Sequence, residues 1–134
     1  FEEKVHIYGE DLVRRKIITH FSQFYNENKS LSENFVSIGS CSTMTTLCSV
    51  FQNLPFYNPE KIEGFEMSRE QVINTINYIN KLSVSNLKTH PCIKEKYKLL
   101  KNGIEILLFI IKVFPIKKII TTHKGLRDAI IDEL

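Results

Sequence analysis

Tryptophan is missing from this chain, and glycine is scarce, with five in 134 residues. The glycine-rich phosphate loops of the common nucleotide-binding motifs need glycines at fixed spacing. Those fingerprint glycines are mostly absent. Only three cysteines occur, Cys41, Cys48 and Cys92. Their number is odd, and no histidine pair stands in register with them, which argues against a zinc site or a disulfide framework. A reducing, cytoplasmic setting fits such cysteines. Long apolar runs are also lacking. The nearest, Ile104–Phe114 (IEILLFIIKVF), carries Glu105 and Lys112 and stops at Pro115. It is too short to span a bilayer and reads as a buried helix of a layered domain, with no membrane partner. Nor is there a dense basic stripe interleaved with aromatics. The net charge of +3 permits an anionic ligand without arguing for nucleic acid. Lys94–Lys101 (KEKYKLLK) reads as a solvated helix face.

What is present suits one soluble domain with a real core. The chain is 43% hydrophobic and 25% charged, with nine Phe and five Tyr. It opens on Phe1 with no signal peptide, so it is expected to be a segment of something longer.

The most readable stretch is 35–50, FVSIGSCSTMTTLCSV. Phe35, Val36 and Ile38 form a short apolar run of the kind found in buried strands. Gly39, Ser40, Cys41 and Ser42 interrupt it. Ser42 or Thr43 can then cap a helix whose apolar positions are Met44, Leu47, Cys48 and Phe51. Strand, small-residue loop and helix start would aim free N–H groups and a positive dipole end at the loop, which suits phosphate. A plain strand-to-helix turn has the same local pattern.

Taken in order, Lys4–Tyr8 reads as a strand that Gly9 ends. Leu12, Val13, Ile17, Phe21, Phe24 and Tyr25 make one face of a helix. Residues 26–34 are polar and close it. Pro55, Asn58, Pro59 and Gly64 mark an irregular loop. Ser68 with Gln71 predicts a capping box ahead of Val72, Ile73, Ile76, Ile79 and Leu82. His90-Pro91 ends a short turn. Lys94–Val113 is helical with Gly103 inside it, and Ile116–Thr122 is a further strand. His123-Lys124-Gly125 then leads to a last helix near Leu126–Asp128.

The order β-α-β-α-α-α-β-α predicts an α/β fold with a short, mostly parallel sheet covered by helices, Ile104–Ile111 among them. Both loops, Gly39–Thr43 and His123–Gly125, should lie at the carboxyl ends of strands, where ligands gather.

Four segments together resemble the exopolyphosphatase / guanosine pentaphosphate phosphohydrolase (Ppx/GppA) family. Ile38-Gly39-Ser40-Cys41-Ser42-Thr43, then Leu47, is similar to the family's V-G-x-x-G-T-x-x-x-L turn. Ile62–Ser68 is similar to I-x-G-x-x-I/L-S/T. Glu95–Lys98 with Gly103 and Ile106-Leu107 is similar to E-R-x-D-x-x-x-x-G-x-x-I-L. Thr121–Ala129 is similar to S-x-x-G-L-R-E-G. The matches run in order from about Tyr8 to Leu134. The resemblance implies a single domain over 1–134, the C-terminal portion of the family's second, ribonuclease-H-like domain, of the type shared with actin and sugar kinases. It implies hydrolysis of terminal phosphoanhydrides of polyphosphate or a phosphorylated guanosine nucleotide, with magnesium. The phosphate-binding residues carried over are Gly39, Ser40, Cys41, Ser42, Thr43, Gly125 and Arg127.

Departures are clear. Ser42 replaces the second glycine of the first turn. Lys96 and Lys98 replace Arg and Asp, Arg15 falls where a Glu is called for, and Ala129 replaces the last Gly. The family's D-x-G-S-N-S loop, its catalytic glutamate and its D-I-G-G-G-S-x-E hairpin do not occur in these residues. No catalytic residue and no metal ligand is assigned here. Cys41 lacks a paired histidine for nucleophilic work, and the pattern asks for no histidine at His123. The expectation is a segment supplying one side of a phosphate cleft, its catalytic machinery upstream and its sheet edge covered by that upstream half or by a second copy. The alternative is a non-catalytic binding or scaffold module.

Overall fold

The computed structural model describes residues 9–31, 36–125, 128, 130 and 131. The strand expected at Lys4–Tyr8, Phe35 and Arg127 lie outside the described residues. Contacts divide the described chain into two compact units, 9–31 with 101–116 and 36–100 with 117 onwards.

The first unit holds helix α1, Glu10–Glu27. Gly9 precedes it at φ 79, a left-handed conformation that glycine adopts without a Cβ penalty. Val13 is buried. Phe21, Phe24 and Tyr25 surround the Phe114 ring at 6.3, 6.2 and 5.6 Å. Arg14 pairs with Glu10 one turn back and with Glu105 at 3.1 Å. Residues 101–116 group with α1 in this division.

The second unit carries a three-stranded sheet. Its strands are β1 (Ser37–Gly39), β2 (Phe65–Ser68) and β3 (Lys118–Thr121), in the order β1-β3-β2. The helices are α2 (Ser42–Phe51), the single turn α3 (Pro59–Ile62), α4 (Arg69–Lys81), α5 (Val84–Thr89) and α6 (Tyr97–Val113), whose last thirteen residues belong to the first unit.

The sheet is mixed, which corrects the mostly parallel reading. β1 runs parallel to β3, but β2 runs antiparallel to it. The sequence pattern treats Phe65–Ser68 as the approach to a helix. Phe65-Glu66-Met67-Ser68 alternates apolar and polar over the minimum length for a strand, and β3 supplies the pairing that makes it one.

The register explains the core. Gly39, Ile119, Thr121 and Met67 share one face, and all but the glycine are buried. Helices α2 and α4 pack on this side and on each other, contributing Met44, Leu47, Cys48, Val72, Ile76 and Ile79. The opposite face carries Ile38, Glu66 and Lys118, the last two joined at 2.7 Å. Val36 and Ile38 are 64% and 65% exposed, so the buried strand expected at 35–38 is corrected too. Among the described residues β1 stands at the sheet edge, and its Ile38 lies on the face opposite α2.

Candidate functional site

Three backbone segments meet at the carboxyl end of β3. Thr122 N donates to Gly39 O at 3.1 Å, tying the end of β3 to the end of β1. Gly64 N donates to Thr121 O at 2.9 Å, bringing in the turn before β2. The loop 40–41 and the start of α2 leave from the same edge.

Gly39 is placed there by packing. A Cβ at this position would lie 2.5 Å from Met44 Cγ and 2.9 Å from Met44 Cβ. The first turn of α2 therefore sits on the strand as closely as a hydrogen side chain allows. Ser40, Cys41 and Ser42 are exposed, and Thr43 is buried.

The expected cap is corrected. Cys41, not Ser42 or Thr43, is the N-cap, with φ −92 and ψ 161, and it makes no side-chain cap bond. The strand ends one residue before Ser40, and Ser42 is already helical, so the extended residue between them is the cysteine. A thiol is a weak acceptor. The first-turn N–H groups of α2 therefore gain no cap from this side chain.

Gly125 closes the other loop. Its N–H donates to Asp128 Oδ2 at 2.7 Å, and Asp128 N donates back to Gly125 O at 3.0 Å.

A polar cluster among the described residues gathers around Glu63, a residue the sequence does not single out. Glu63 accepts the Thr122 hydroxyl at 2.9 Å on either oxygen, the His123 backbone N–H at 3.1 Å, and His123 Nδ1 at 2.7 Å. The Thr122 hydroxyl in turn accepts Lys124 N–H at 3.1 Å. The Thr122 bond first, with the His123 contacts, holds the Glu63 carboxyl below its ordinary 4.5. A carboxyl lowered on folding contributes stability above its unfolded value. That contribution is lost as pH falls through the lower folded value. Glu63 stands within the Ile62–Ser68 segment, and sixty residues separate it from His123. No local spacing could pair them.

Behind this edge, burial pushes the Cys48 thiol up, offset in part by Gln52 and Thr121. It is a core group. Among the described residues no three His, Cys, Asp or Glu side chains gather as a metal set, and no helix is long and apolar enough to cross a membrane. An open depression along α1, lined by Ile18, Thr19, Ser22, Gln23, Asn26 and Glu27, lies on residues other than these.

No protein-family model matches the sequence, and no curated protein matches it. Solved structures do match the fold. A crystal structure of the Aquifex aeolicus member of the Ppx/GppA family aligns with a TM-score of 0.67 at 21% identity, over 87% of this chain and 39% of that one. The type II variant of the Aquifex aeolicus Ppx/GppA phosphatase aligns at 0.72 and 19%, over 99% and 41%. A further structure of the Aquifex aeolicus PPX-GPPA enzyme gives 0.70 and 17%, over 94% and 42%. The chain thus spans about two-fifths of the length of each. At these identities the likeness is one of fold, and it is the likeness that the four sequence segments imply.

Proposed function

We propose that this chain is the C-terminal portion of the second, ribonuclease-H-like domain of a Ppx/GppA-type phosphatase. In this reading it forms one wall of a cleft for the terminal phosphates of polyphosphate or a phosphorylated guanosine nucleotide. The observation that carries the reading is the convergence of the Gly39 strand end, the start of α2 and the Thr121–Gly125 turn at one sheet edge.

Phosphate would meet the N–H groups of Ser42 and Thr43, the positive end of the α2 dipole, and the side chains of Ser40 and Cys41. Arg127, just beyond Gly125 in sequence, would add a guanidinium able to bind phosphate oxygens bidentately.

Phosphoanhydride hydrolysis needs a carboxylate to orient water and cations to absorb charge. Glu63 is already engaged by three donors. Among the described residues no group of three acidic, histidine or cysteine side chains gathers to hold the magnesium that the resemblance implies. Both parts are assigned to residues outside this segment. A second reading, a non-catalytic binding or scaffold module of the same fold, is favoured by Arg15, Lys96 and Lys98. All three are exposed, at positions where the resemblance calls for Glu, Arg and Asp.

Calorimetric titration with tripolyphosphate and with guanosine pentaphosphate at low salt tests the cleft. Arg127→Ala should weaken binding about tenfold, the scale of one hydrogen bond to a charged group. Lys94→Ala, on the solvated face, should leave it unchanged. Equal affinity for both variants would remove Arg127 from the site. Magnesium-dependent phosphate release by the chain alone would overturn the assignment of catalysis upstream.

A further inference from the structure

We propose that the Thr122–His123 corner is an anion-binding site which the protein fills with its own Glu63 carboxylate, so that a phosphate oxyanion and Glu63 compete for it. The donors are a hydroxyl, a backbone N–H and an imidazole nitrogen, at 2.9, 3.1 and 2.7 Å from the carboxylate. Three such groups on one oxyanion are the same chemistry that holds phosphate oxygens.

Pairing in the sheet, not Glu63, fixes the backbone that carries these donors. Thr122 N–H is bound to Gly39 O, and Thr121 O accepts Gly64 N–H. Lys124 N–H takes a lone pair of the Thr122 hydroxyl, which directs the hydroxyl proton toward the Glu63 side. Removing the carboxylate therefore leaves the His123 N–H and the Thr122 hydroxyl aimed at the vacated position, with the imidazole beside them. Glu63 itself is easily displaced. Its side chain is 40% exposed, and it follows a single helical turn and precedes Gly64 at φ 72. A tethered carboxylate competes at an effective concentration on the order of millimolar. A phosphate ligand must outbid it, and one with several charged oxygens can. Asp128 does the same for Gly125 N–H two residues on. The loop that the resemblance gives to phosphate is thus satisfied at rest by the chain's own acids.

The choice of phosphate as the competing anion rests on the cleft reading above. The existence of the donor corner does not. The test is an amide-resolved NMR titration with inorganic phosphate, then tripolyphosphate, on the wild-type chain, Glu63→Ala, Glu63→Gln and Glu63→Ala/His123→Ala. Glu63→Ala should bind about tenfold tighter than wild type, with Thr122 and His123 amides moving, since a charged competitor is removed. Glu63→Gln keeps the side chain's shape and should also tighten binding, which guards against a folding defect in the alanine variant. The double variant should return to wild-type affinity. Binding to both single variants no tighter than wild type would overturn the proposal, as would Thr122 and His123 amides that stay still. Movement at Ser42 and Thr43 without movement at 122–123 would sink this proposal and leave the cleft standing. The reverse pattern would sink the cleft and leave this corner standing.

Discussion

Gly39 stands where the first turn of α2 meets β1. In the sequence it reads only as one of the small residues that interrupt an apolar run, and in the fold Met44 occupies the space a Cβ would need. Gly39→Ala must push α2 off the strand, and overpacking of this kind costs about 1–3 kcal/mol. Urea unfolding of the two proteins measures it, and a change below about 0.5 kcal/mol would mean that Met44 simply moves aside. Glu63 was illegible in the sequence. Its partners are brought to it by the pairing of β2 with β3, and no pattern within a dozen residues announces that. The same holds for Cys41, whose role as N-cap depends on where the strand stops. Its C-terminal neighbours Ser42 and Thr43 carry the hydroxyls that favour a cap, but they stand one and two residues inside the helix.

At the scale of elements, local chemistry was legible wherever the signal was local. Ser68 Oγ accepts Gln71 N–H at 3.1 Å, and Gln71 Oε1 accepts Ser68 N–H at 2.8 Å, the reciprocal box that the S-x-x-Q spacing predicts. Ser68→Ala should cost about 1 kcal/mol, read by thermal unfolding. No loss at all would mean that α4 is held by Val72, Ile76 and Ile79 alone. Helices α1, α2, α4 and α6 follow the apolar periodicities and stop near the polar or proline residues that mark their ends. Ser83, two residues past α4, caps a helix, α5, accepting Asn86 N–H at 3.1 Å. What was missed is non-local. β2 is four residues long and exists through β3. The exposure of Ile38 follows from its place on the sheet face opposite α2 and α4, a matter of which face the helices cover that hydropathy does not encode.

For the whole molecule, order along the chain carried more than any single motif. Four weak segments at compatible spacing implied the fold that three Aquifex aeolicus structures share over 87–99% of this chain. The division into two compact units left no mark in composition, because residues 101–116 join the first unit from the far end of the sequence. The candidate site draws on 39–43, 63–64 and 121–125, brought together only by the sheet. The central claim is that this edge receives phosphate. Tungstate, a heavy phosphate analogue, soaked into crystals of the chain at low salt would locate the site by anomalous scattering. The expected result is a peak within hydrogen-bond reach of the Ser42 and Thr43 amides, facing the Thr122–Gly125 turn. A peak confined to the exposed lysines of 94–101, with none at this edge, would contradict it.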